Sequence, residues 1–163
     1  MKSPPLNEKE FASLIKEHSR IINKVCYFYA TDKMPFDDLQ QEVYVNIWLG
    51  LNQFRGESKI STWIYRVAVN SALMALRSSG RRIETVATDF SRLDASTEPD
   101  DVQRENLQAL QALISRLEDI EKAIILMWLD EYSYDEIGDT LGLKRNTVAV
   151  KIHRIKEKLS KQI

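Results

Sequence analysis

Apolar residues recur every three or four positions along most of this chain, the period of amphipathic helices rather than of strands. Phe11, Leu14, Ile15, His18, Ile21, Ile22 and Val25 follow that spacing and predict one helix over residues 8–30. After "MPFDD", where Asp37 or Asp38 is suited to cap a helix start, Leu39, Val43, Ile47 and Leu51 form an i, i+4 stripe. Such a stripe over about three turns predicts a buried face. "RGES" ends that helix, and "STW" opens a third, with Ser61 or Thr62 as the cap. From Trp63 to Leu76 the third helix is apolar on most sides, as expected of an element packed against several others.

The pattern then lapses. Between Ile83 and Glu105 seven acids (84, 89, 94, 98, 100, 101 and 105) face two arginines, with few large apolar residues. A segment that buries so little does not offset its ordering entropy, which predicts a flexible acidic linker. Helical periodicity resumes at Leu107, Leu110, Leu113, Ile114 and Leu117, with further helices expected over 121–130 and 134–141 and then to the C-terminus. The expected fold is all-α: two small helical domains, residues 1–82 and 106–163, joined by the linker 83–105.

The last two helices carry a more specific signature. Ile137 and Leu141 are apolar, Gly138 is small where two helix backbones must approach, and Gly142 suits a turn at positive φ. Leu143, Val148, Ile152, Ile155 and Leu159 then face inward. That is the spacing of a helix-turn-helix, whose second helix can enter a major groove. From Lys144 to Lys161 the chain gathers seven Lys or Arg (144, 145, 151, 154, 156, 158 and 161) against one acid, Glu157, although its formal net charge is −1. With the apolar positions turned in, Lys151, Arg154 and Lys158 are expected on a connected outer surface. Lys144 and Arg145 stand at the helix start, where the macrodipole disfavours positive charge by about 0.3–1 kcal/mol each. A phosphate backbone at that end reverses the sign. Arg145, Lys151 and Arg154 suit guanine, and Ala149 and Val150 suit thymine methyls.

Composition narrows the classes. At 44% hydrophobic and 29% charged residues the chain is globular rather than disordered. No stretch nears the roughly 20 apolar residues of a membrane span, and "MKSPPLNEKEF" lacks the apolar core of a signal peptide, so a cytoplasmic protein without membrane insertion is expected. The single cysteine, Cys26, excludes an internal disulfide and a Cys-based zinc cluster. No paired carboxylates, phosphate-binding glycine loop or His/Cys cluster stands out, so neither an enzyme nor a metal or other cofactor is expected.

The third helix carries polar groups of interest on one face: Arg66, Asn70 and Arg77, followed by Arg81 and Arg82. The preceding loop, "FRGESKISTW", places Phe54, Arg55, Lys59 and Ile60 beside that face. Cations, an aromatic ring and an amide together suit a single-stranded nucleic acid, where stacking is worth about 1–3 kcal/mol per base; an extruded base could be hydrogen-bonded on its edge. A solvated arginine face with Phe54 in the core is the competing reading of the same residues.

"DDLQQEVYVNIWLGLNQFRGESKISTWIYRVAVNSALMALRSSGRR" resembles the promoter-melting domain of bacterial extracytoplasmic-function sigma factors, through its "DLQQEVY" helix, "FRGES" loop, "TWIYRVAVN" helix and closing arginine pair. "LEDIEKAIILMWLDEYSYDEIGDTLGLKRNTVAVKIHRIKEKL" resembles the −35-reading domain of the same family. The resemblance implies a subunit that binds core RNA polymerase, recognises −35 and −10 promoter elements and promotes melting. It implies core polymerase contacts at Asp38, Gln41, Glu42 and Asn46. It implies a single-stranded −10 site from Phe54, Arg55, Ser58, Lys59, Ile60, Arg66 and Asn70, with Arg77, Arg81 and Arg82 on phosphates. A duplex −35 site is implied at Lys144, Arg145, Asn146, Thr147, Ala149, Val150, Lys151 and Arg154. An anti-sigma factor is implied as a regulatory partner. Lys144 stands where the family often has a small polar cap, and Ala149 and Val150 replace polar base readers, so the −35 preference of relatives does not carry over. The alternative is a stand-alone helix-turn-helix repressor or activator that binds its operator without polymerase.

Overall fold

The computed structural model describes residues 6–78 and 100–161 of the 163-residue chain. All regular elements among the described residues are helices, and the chain divides into two compact units, Met1–Glu98 and Pro99–Ile163. The first unit holds α1 (Glu8–Glu17), α2 (Ser19–Tyr29), α3 (Phe36–Gly50), a 3₁₀ turn (Leu51–Gln53) and α4 (Ile60–Ser78). The second holds α5 (Asp101–Ser115), α6 (Asp119–Leu129), α7 (Tyr134–Leu141) and α8 (Arg145–Lys161).

In the first unit α2, α3 and α4 pack against one another around Ile22, Val25, Leu39, Val43, Ile47, Ile64, Ala68 and Val69, all essentially without solvent exposure. Cys26 belongs to this core, and burial pushes its thiol up to about 12, so it packs as an inert apolar group. The helix expected over 8–30 is two helices. The chain turns at His18 (φ −107°, ψ 16°), so that α2 lies in the core while α1, which buries no residue fully, rests Phe11 edge-on against Trp48 of α3 at 5.0 Å.

Two caps differ from expectation. Helix α3 begins one residue before Asp37, after an extended Pro35, because Phe36 is drawn into the core. Asp37 and Asp38 therefore sit in the first turn, where they favour the helix dipole rather than cap it. Helix α4 begins at Ile60, with the Trp63 N–H donating to Lys59 O, so Ser61 and Thr62 lie inside the helix and Thr62 is buried. Leu51, expected on the buried stripe, is half-buried in the 3₁₀ turn.

Residues 83–99 of the expected linker lie outside the described residues, but its end, 101–105, is helical. Asp100 Oδ1 accepts the Gln103 N–H at 2.7 Å, and Gln103 Oε1 accepts the Asp100 N–H at 3.2 Å, a reciprocal cap. The cap satisfies orphan donors in a turn whose residues are all exposed, so helix forms there without burial. In the second unit Ala123–Met127 of α6 are buried with Ile114, Leu117, Ile137, Val148, Ile152 and Ile155.

Candidate nucleic-acid interfaces

The turn between α7 and α8 has the geometry that its glycines require. Gly142 takes φ 72°, and the Leu143 N–H donates to Gly138 O at 2.9 Å. A Cβ on Gly138 would lie 2.5 Å from the Leu143 carbonyl oxygen, so only glycine permits this approach. Ser133 and Glu136 start α7 with a second reciprocal cap. These contacts fix α8 by its N-terminus, and Val148, Ile152 and Ile155 fix it along its length.

Three of the seven basic residues on this stretch are engaged inside the unit. Lys158 Nζ donates to both carboxylate oxygens of Glu121 at 3.0 and 2.9 Å. Lys156 Nζ lies 4.1 Å from the centroid of the Trp128 ring, and Arg145 pairs with Asp135 of α7 at 3.8 Å. Glu121 is only 7% exposed. Burial pushes its carboxyl up, but the Lys158 hydrogen bond, the Glu118 N–H and the charges of Lys158 and Lys151 outweigh that and hold it below the usual carboxylate range. Lys158 is exposed, as expected, but its ammonium is held by Glu121 and ties α8 to the first turn of α6 instead of standing free on the cationic surface. Lys144 and Arg154 are exposed, and Lys151 is half-buried.

Opposite the buried stripe, α8 presents Asn146, Val150, His153, Arg154 and Glu157, all exposed at three- and four-residue steps. His153 Nε2 lies 3.2 Å from Glu157 Oε1. Val150 is exposed and Ala149 and Thr147 are half-buried on its flanks. Asn146 is the second residue of the helix, and the Lys144 carbonyl accepts the Val148 N–H, so Asn146 points outward instead of capping.

In the first unit the loop 54–59 turns at Gly56 (φ 75°). Phe54 lies 5.4 Å from the Trp63 ring, tilted by 48°, and is half-buried. Trp63 in turn lies over Gly50, where a Cβ would meet its ring at 2.9 Å. The loop is thereby anchored to the start of α4, while Arg55, Ser58 and Lys59 remain exposed and Ile60 is half-buried. Asn70 and Arg77 are exposed on α4, seven residues apart on the face that Trp63 opens; Arg66 is half-buried at its flank. Arg81 and Arg82 lie outside the described residues.

On α3, Asp38, Gln41 and Glu42 are exposed. Asn46 is not an outward residue of this set: its Nδ2 donates to Ser71 Oγ at 2.8 Å, and Ser71 Oγ donates to Val67 O at 2.7 Å, tying α3 to α4. Val45 (51% exposed) and Leu49 (65%) continue the line of Asp38, Gln41 and Glu42 instead. Their positions three, four and seven residues on were the signal available in the sequence, hidden by the assumption that apolar residues face inward.

The family model for sigma-70 region 2 matches residues 14–82, and that for sigma-70 region 4 matches residues 107–159. The chain is an extracytoplasmic-function sigma factor. Among similar proteins, it is 28% identical to the ECF RNA polymerase sigma-E factor of Haemophilus influenzae, over 96% of this chain and 89% of that one. It is also 28% identical to the ECF RNA polymerase sigma factor SigW of Bacillus subtilis, over 96% and 90%. The fold is similar to that of the sigma factor RpoE from Bartonella quintana, solved with the anti-sigma factor NepR (TM-score 0.73, 18% identity, 94% of this chain and 96% of that one). It is similar too to CnrH, solved with the cytosolic domain of CnrY (TM-score 0.67, 20% identity, 96% and 88%).

This sigma factor therefore acts in transcription initiation, with core RNA polymerase and promoter DNA as its partners. The alternative of a stand-alone helix-turn-helix regulator is set aside, since region 2 matches residues 14–82 of the first unit, which spans Met1–Glu98. Sigma factors are DNA-binding regulators. Among the described residues, no helix is long and apolar enough to cross a membrane.

Proposed function

We propose that the two units divide promoter recognition between a single strand and a duplex. The loop 54–59 and the outer face of α4 hold the unpaired −10 element, with Asn70 on a base edge, Arg55 and Lys59 at the loop, and Arg66, Arg77, Arg81 and Arg82 along the backbone. Helix α8 enters the major groove of the −35 element. Lys144, Lys151 and Arg154 neutralise phosphates, and Asn146, Val150 and Arg154 meet base edges; Arg145 reaches DNA from its place beside Asp135. Asp38, Gln41, Glu42, Val45 and Leu49 on α3 form the face for core polymerase. The observation that carries this reading is the exposed Asn70–Arg77 face of α4 beside a loop anchored on Trp63.

In this reading the functional domains span 1–82 and about 100–163, the chain works in the cytoplasm, and it performs no catalysis and needs no cofactor. An anti-sigma factor is its regulatory partner; the similar RpoE of Bartonella quintana was solved in complex with one. Asn70→Ala tests the assignment. Holoenzyme carrying it should assemble normally but bind a single-stranded −10 oligonucleotide about 10-fold more weakly, the loss of a good base contact. Unchanged oligonucleotide binding removes Asn70 from the site.

A further inference from the structure

Between Asn70 and Arg77 on the outer face of α4 stands Met74, a large apolar side chain left 62% exposed. It lies four residues beyond Asn70 and three before Arg77, so all three share one side of the helix. Among the described residues it is left mostly uncovered. At 1.5 Å per residue Met74 sits about 6 Å along the axis from Asn70. Stacked bases in one strand are about 3.4 Å apart, so that offset corresponds to one or two nucleotide steps from a base held at Asn70.

We infer that Met74 is the wedge of the promoter fork: its thioether side chain lies against the base face exposed when the neighbouring nucleotide is drawn onto α4. The inference rests on the reading of α4 as the −10 face and names a residue that neither the sequence motifs nor the basic face single out. The chemistry fits. Methionine is among the apolar side chains that proteins insert between base steps to hold them unstacked. It is flexible and polarizable, so it can follow any base pair left at the fork. Arg77 one turn further on neutralises the phosphate that must bend away from the duplex. An exposed Met between an amide and a cation thus couples strand capture at Asn70 to separation of the next pair.

The test uses holoenzyme reconstituted with core polymerase on two templates, a fully paired promoter and the same promoter with its −10 element already unpaired. Formation of the productive complex is followed on both templates by the rate at which short initiated transcripts appear. Met74→Ala should slow opening of the paired template about 5- to 10-fold, the scale of a partial stacking contact, and leave the pre-opened template unaffected. Met74→Leu, which keeps an apolar side chain, should restore most of the rate. Wild-type opening by Met74→Ala, an equal loss on both templates, or a Leu variant as slow as Ala would each overturn the wedge. Asn70→Ala run alongside separates the two claims: it should weaken both templates, and if it changes neither, the assignment of α4 to the −10 strand fails whatever Met74 does.

Discussion

Replacing Lys158 by alanine removes the ammonium that donates to both oxygens of the Glu121 carboxylate, and leaves that carboxylate nine-tenths buried. Breaking a fully buried ion pair in this way costs about 3–5 kcal/mol. Here Lys158 is half-exposed and Glu121 keeps the Glu118 N–H at 3.1 Å and the nearby charge of Lys151. Solvent screening and those remaining partners reduce the expected cost to about 1–2 kcal/mol. The pH dependence supplies a second, independent sign. With Lys158 present, the Glu121 carboxyl is held below its ordinary value of 4.5. Its contribution is therefore full above about pH 4.5 and is lost as pH falls through the folded value. Without Lys158 its hydrogen bond and charge are lost while burial remains, so the carboxyl moves upward and its contribution to stability at pH 7 falls. The difference between the two proteins should thus shrink on acidification. Native-state hydrogen exchange of α6 and α8 amides at pH 7 and near pH 4 reads the second unit by itself. Glu121→Gln combined with Lys158→Met keeps the cap acceptor and should recover most of the loss. A cost below about 0.5 kcal/mol at pH 7, or one that does not shrink in acid, would refute the reasoning.

Gly138→Ala should destabilise the second unit by about 1–3 kcal/mol, because the new methyl meets a backbone carbonyl rather than a movable side chain; thermal unfolding of the full chain checks it. Asn46→Ala should cost the first unit about 1 kcal/mol through the lost bond to Ser71, whereas Leu49→Ala should leave stability unchanged and weaken assembly with core polymerase, measured by fluorescence anisotropy. Lys24, pushed down to about 8 first by burial and then by Arg20, should titrate near that pH in an NMR series. Stability should rise with pH between about 8 and 10.5, where the unfolded lysine still binds a proton that the folded one has lost.

What the chain reveals by itself depends on how far apart the interacting residues are. Gly138 and Gly142 were legible because their causes are local: a close approach within one turn and a positive φ. The inward positions Val148, Ile152 and Ile155 followed from period alone. The roles of Asn46 and Lys158 were not legible, since their partners lie 25 and 37 residues away and only the packed helices bring them together. Periodicity ran almost unbroken through His18, hiding the turn that lets α1 leave the core. The start of α5 was hidden for the opposite reason. The Asp100–Gln103 cap is a local signal, but the acidic composition around it outweighed two capping residues.

The most direct test of the account is transcription with core RNA polymerase, this chain and a library of randomised promoters, read by sequencing the initiated transcripts. The account predicts transcripts only when the chain is present, from templates sharing one upstream and one downstream element, with no footprint by the chain alone. A chain that protects its own operator without polymerase and adds no initiation when polymerase is supplied would contradict it.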